Sequence, residues 1–234
     1  MIINASDYAS PSLLLLGRKL QKGKWGNAGT RQPRKYIDII TAFDIETSTK
    51  YTTNIADGKT GYYSAMYVCQ FAINNRVILC RTWYELRMLW DRLISQLHLS
   101  DNTVLLTWVH NLDYETSYIK HRFEIDRWSY FCKSRTKPIK YLANKHIYLH
   151  DSYSISNSSL AKLADMYKCD HHKMTGDINH DVIRNSSTPL TDDKELGYIC
   201  NDVLILTDFA QVMYDTFLQP EGYIPDTSTQ ILRK

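Results

Sequence analysis

The chain has 234 residues, room for one sizeable domain with an arm or for two small domains. With 44% hydrophobic and 23% charged residues it has an ordinary globular make-up, and the sequence shows no internal repeat or low-complexity tract. A net charge of +3 is too small to argue nucleic-acid binding by itself.

Residues 1–35 read as a basic, irregular arm. Arg18, Lys19, Lys22, Lys24, Arg31, Arg34 and Lys35 follow one another with no acid between them, interrupted by glycines. Such a stretch suits either phosphate contacts or a solvated arm. The run Leu13–Leu16 is far shorter than the ~20 apolar residues of a membrane span. It also lacks the flanks of a signal peptide. The five cysteines are scattered and never in a CxxC pair, as expected of free thiols in a reducing cytosol. A cytoplasmic protein with no membrane partner is the expectation. Cys169, His171 and His172 lack a second pair at zinc spacing.

From residue 36 the elements follow in order. Residues 36–43 predict a buried strand and 51–62 a loop or hairpin tip. Residues 65–73 and 77–83 predict two strands joined by an Asn74-Asn75-Arg76 turn. Apolar spacing predicts a helix over 84–98, a strand over 103–109 and a helix after Asn111. Short strands are expected at 128–132 and 146–149 with a basic segment, 133–140, between them. A helix over 160–167, an irregular stretch over 170–189 and a long helix over 192–217 complete the pattern. This order indicates an α/β fold with a mixed sheet flanked by helices, of which the ribonuclease-H-like architecture is one example.

Three acidic motifs carry the chemistry. Asp44 and Glu46 stand at i and i+2 on a predicted strand, so both carboxylates face one side. Carboxylate oxygens are hard ligands suited to Mg²⁺ or Mn²⁺. Asp113 and Glu115 follow the strand ending at Val109, where an α/β sheet tends to build sites, or simply complement a helix capped by Asn111. Tyr198 and Asp202 share a helix face, and Asp202 abuts an apolar run where a carboxylate needs a partner. Brought together, these acids repel one another unless cations neutralise them. Two divalent ions about 3.5–4 Å apart would do so, an arrangement suited to in-line attack on phosphodiesters.

The segments F-D-I-E-T, H-N-L-D-Y-E and Y-I-C-N-D resemble the three exonuclease motifs of B-family DNA polymerases. The protein-primed type of phages and linear plasmids resembles it most, through His110 before Asn111, the Asp151-Ser152 pair and Gly176-Asp177-Ile178. The resemblance covers roughly residues 36–217, leaving 218–234 as a tail similar to the link to a polymerase domain. It implies a 3′→5′ exonuclease acting on single-stranded DNA 3′ ends with two divalent cations, Mg²⁺ or Mn²⁺. Asp44, Glu46, Asp202 and Glu115 would hold the metals, with Asp113 as a substitute for Glu115. Tyr198 would orient the attacking water. Thr47, His110, Asn111, Tyr114, Ser152 and Lys173 would contact the strand. Two positions depart from the family: Glu115 stands where an aspartate is usual, and Thr175 where a lysine is, leaving Lys173 as its stand-in. The polymerase motifs D-x-x-S-L-Y-P, K-x₃-N-S-x-Y-G and Y-x-D-T-D are not found, so a polymerase domain is expected in cis or on a separate chain, with a terminal-protein primer as a further partner. The alternatives are a catalytically weakened single-stranded-DNA-binding module of the same fold and a stand-alone trimming exonuclease.

Overall fold

A computed structural model describes residues 2–5, 20–22, 34–53, 60–134, 137–174 and 182–232. The strands are β1 (Ile2–Asn4), β2 (Leu20–Lys22), β3 (Lys35–Ile37), β4 (Thr41–Thr53), β5 (Thr60–Ile73), β6 (Arg76–Cys80), β7 (Thr103–Val109), β8 (Phe131–Ser134), β9 (Lys137–Ala143) and β10 (Ile147–Asp151). The helices are α1 (Trp83–Gln96), α2 (Leu112–Ile119), α3 (Tyr153–Ser156), α4 (Leu160–Tyr167), α5 (Asp193–Met213), α6 (Gln219–Glu221) and α7 (Ser228–Leu232).

The sheet runs β1-β6-β5-β4-β7-β10-β9-β8, with β2 and β3 paired beside β7. β4, β7 and β10 are mutually parallel in sequence along the sheet, whereas β4–β5, β5–β6 and β9–β10 are antiparallel. The expected mixed α/β sheet flanked by helices, ribonuclease-H-like in plan, is therefore the fold. Its central strands are buried on both faces, so alternation in β4 is between two apolar environments rather than between core and water. Phe43 and Ile45 join a layer with α1 and α2, in which Trp90 packs between Phe43 and Phe123. Ala42, with Val68 and Ala72 of β5, faces the opposite layer, built on α5 and α4. Trp108 and Tyr167 both meet Phe209 edge-on there.

Several expectations are corrected. The strand expected over 36–43 is two strands, because Ile39 N–H donates back to the Ile37 carbonyl at 2.8 Å and turns the chain between β3 and β4. β4 and β5 extend further into the expected tip, through Thr53 and from Thr60. The basic segment 133–140, placed between two expected strands, supplies most of the β8–β9 hairpin. Pro138 is accommodated beside β8, where the register shifts, and the other edge of β9 pairs regularly with β10. The irregular arm holds paired strands at β1 and β2; the rest of it lies outside the described residues. The last long helix changes at Met213 into a π-helical turn, Tyr214–Leu218. Among the described residues no helix is long and apolar enough to cross a membrane.

The tail also packs back onto the domain. Leu218 and Ile224 are buried, and Asp226 accepts hydrogen bonds from Lys140 of β9 and His150 of β10. Burial alone would raise the Asp226 pKa, but His150 and Lys140 outweigh it and hold the carboxyl below its usual range.

Candidate metal centre

The carboxyl ends of β7 and β10, together with β4 where it runs on past its pairing with β7, form the edge at which the acids meet. Asp44 and Glu46 project from β4 on the side that faces α5. Asp202 reaches them from α5, 7% exposed, one helical turn after Tyr198. One carboxylate oxygen from each of Asp44, Glu46 and Asp202 lies within 4.8 Å of the others. Between Glu46 and Thr47 the β4–β5 register slips by one residue, a bulge of the kind that re-aims side chains beside sites.

Glu115, in the first turn of α2, is 2% exposed and faces Asp44. Asp113 lies exposed on the other side of that turn, where its charge is felt by Tyr130 and Cys132. The structure thus separates the two acids: Glu115 faces the cluster and Asp113 points away from it. The extra methylene of Glu115 does not carry it away from Asp44.

Crowding leaves its mark on protonation. Burial, then the charge of Asp202, pushes Asp44 up to about 7. Burial, then Asp44 and Asp202, pushes Glu46 up to about 8. Glu115 is raised well above the carboxylate range by burial and by Asp44. Burial raises Asp202 as well, against the hydrogen bond and charge of Lys173. Lys173 is the counter-charge present: its ammonium bonds Asp202 and sits 4.3 Å from the centre of the Tyr198 ring. The residues fit a divalent cation on the chemistry of the donor set. Several hard oxygens converge, and Asp202 Oδ1 and Glu115 Oε2 are buried without hydrogen-bond partners.

The expected strand-binding residues divide. Thr47 Oγ1 and the Tyr114 hydroxyl share a 2.6 Å hydrogen bond, and Tyr114 is 42% exposed beside Glu46. These two line a polar cleft of about 360 Å³ with Glu46, Ser64, Tyr67 and Arg184. Asn111 is exposed in a left-handed conformation. It does not cap α2 with its side chain, because Asp151 Oδ1 accepts from the Asn111 and Leu112 N–H groups instead. Ser152 is 0% exposed, with its hydroxyl 2.9 Å from His110 Nδ1. Gly176-Asp177-Ile178 and Thr175 lie outside the described residues. Cys169 points to the Ile205 carbonyl in the core and His171 to Asp208, so these two do not converge as zinc ligands would.

Sequence reasoning missed the Arg184–Glu195 pair at 2.7 Å, which holds one wall of the cleft while Tyr67 donates to the same carboxylate. It also missed Gln70, which lies opposite Asp44 on β5. Neither belongs to a short local pattern.

Fold and site together define a ribonuclease-H-like α/β protein with a carboxylate cluster at the carboxyl edge of its sheet. Solved structures of phi29 DNA polymerase share that fold. One, complexed with primer-template DNA and incoming nucleotide substrates, is 14% identical with a TM-score of 0.53 and covers 82% of this chain and 33% of its own. Another, an orthorhombic crystal form, is 15% identical with a TM-score of 0.52 and covers 82% and 32%. The chain therefore spans about a third of the polymerase it resembles. No protein-family model matches the sequence, and neither does any curated protein.

Proposed function

We propose that the chain is a metal-dependent 3′→5′ exonuclease domain of the protein-primed B-family type, hydrolysing single-stranded DNA from its 3′ end. The observation that carries this reading is the convergence of Asp44, Glu46 and Asp202 oxygens within 4.8 Å. Glu115 and Tyr198 stand beside them.

In this reading Asp44, Glu46, Asp202 and Glu115 hold two divalent cations, Mg²⁺ or Mn²⁺. The ions, when bound, neutralise the scissile phosphate and lower the pKa of water at the site. Tyr198 directs its hydroxyl toward the attacking water. Thr47 and Tyr114 hold the terminal nucleotide, with Tyr114 presenting a ring edge or face to a base, and Asn111 supports the strand beside them. Lys173, which bonds Asp202, would contact a phosphate of the strand. His110 acts indirectly, by fixing Ser152 and meeting the Tyr153 ring edge-on at 5.8 Å. A polymerase domain, in cis or on another chain, and a terminal-protein primer are the partners this reading implies.

Asp44→Ala and Asp202→Ala test it. Each should lower the rate of 3′-end hydrolysis by at least ~10²-fold, because each removes a ligand of the charge-neutralising ions. Circular dichroism should show both variants folded. Variants that digest DNA as fast as the parent would remove the basis of the assignment.

A further inference from the structure

Gln70 stands directly opposite Asp44 in the β4–β5 pairing. Opposed residues of antiparallel strands project to the same face, with Cβ atoms about 4.5–5.5 Å apart. The face here is the one that meets α5, since Val68 and Ala72 on either side of Gln70 belong to that layer. Gln70 is 0% exposed, and neither its Oε1 nor its Nε2 has a hydrogen-bond partner. A buried amide with both ends unsatisfied is costly and calls for an explanation. Its strand neighbours Val68, Ala72 and, across β6, Leu79 offer only carbon. Asp44, opposite it, belongs to the carboxylate cluster, in which Asp202 Oδ1 and Glu115 Oε2 are likewise buried without hydrogen-bond partners.

We propose that Gln70 is a positioning residue of the carboxylate centre, its Nε2–H donating to the Asp44 carboxylate directly or through one water when a divalent cation is bound. This rests on the metal-centre reading above. The hydrogen bond fixes one Asp44 oxygen and presents the other to the ion. An amide suits the task better than an ammonium, because it donates without adding a positive charge that would compete with the cation. Ligating carboxylates held by such outer partners lose about 10–100-fold in metal affinity when the partner is removed.

Gln70→Leu in the full chain tests the assignment by three readouts: Mn²⁺ binding followed by electron paramagnetic resonance, the Mg²⁺ dependence of hydrolysis, and thermal melting in EDTA. The expected result is Mn²⁺ binding at least about tenfold weaker, with half-maximal hydrolysis moved to higher Mg²⁺. Melting in EDTA should be unchanged or raised, because an orphaned buried amide has been replaced by a side chain at home among carbon. A purely structural amide would give the reverse, a lower melting temperature with metal affinity intact. Asp44→Ala separates the two levels of the account. If the parent binds no Mn²⁺, or Asp44→Ala binds it as well as the parent, the metal-centre reading fails and this inference with it. If Asp44→Ala loses Mn²⁺ while Gln70→Leu binds like the parent, the Gln70 inference alone is overturned. Should Gln70→Leu not fold, Gln70→Met, closer in shape, carries the same measurements. Collapse of both variants marks Gln70 as a structural amide and overturns the proposal.

Discussion

His110 is tied to Ser152 and Tyr153. Its ring is half-buried, with Nδ1 at Ser152, and burial followed by the charge of Lys173 lowers its pKa to about 4. An unfolded histidine titrates near 6.5, so between pH 6.5 and about 4 the unfolded chain takes up the proton first. The stability that neutral His110 contributes is therefore complete above pH 6.5 and lost as pH falls toward 4. His110→Asn should flatten that part of the stability curve, measured by denaturant unfolding at several pH values. Equal slopes for parent and variant would contradict the burial argument. At this scale the sequence was partly legible. Asp44 with Glu46, and Tyr198 with Asp202, show themselves through periods of two and of about four. The choice between Asp113 and Glu115 was not legible, because it depends on how α2 is rotated over the sheet. Asp151 stood out only through the Asp151-Ser152 pair; that its carboxylate caps α2 from the end of β10 is recorded by no spacing.

At the scale of elements, what was readable was the apolar strand β7 and the apolar faces of α1 and α5. What was not was pairing. β9 carries Lys137, Pro138 and Lys140, so it reads as a basic segment; its identity as a strand comes from β10, against which Tyr141, Leu142 and Ala143 are buried. The tail is a second case. Asp226 is far from Lys140 and His150 in sequence, yet it joins α7 to the sheet edge, and its backbone carbonyl accepts from Ser154 at 2.9 Å. Asp226→Ala would leave Lys140 and His150 without that partner in a mostly buried setting. The loss should be about 2 kcal/mol, below the ~3–5 kcal/mol of a fully buried pair because the Lys140 and Asp226 side chains keep some exposure. For a chain of this size that is a fall in melting temperature of roughly 4–8 °C. A melt unchanged from the parent's would mean that the latch contributes nothing to folding stability.

For the whole molecule, the order of strands and helices indicated a mixed α/β sheet, and the structure has one. The order alone did not place β4 at the centre or set β7 and β10 parallel to it; those follow from packing α5 on one face and α1 with α2 on the other. This arrangement brings residues 44, 46, 115 and 202 to one edge of the sheet. A close gathering of buried and half-buried acids destabilises a fold, as the raised carboxyl pKa values record, and it is the kind of local cost found at functional sites. The most direct test follows one single-stranded oligonucleotide, labelled at its 3′ end or its 5′ end, with Mg²⁺, with Mn²⁺ and with EDTA. The account predicts immediate loss of the 3′ label and a steadily shortening 5′-labelled ladder, both abolished by EDTA. Intact DNA under every condition, or shortening that begins at the 5′ end, would contradict it.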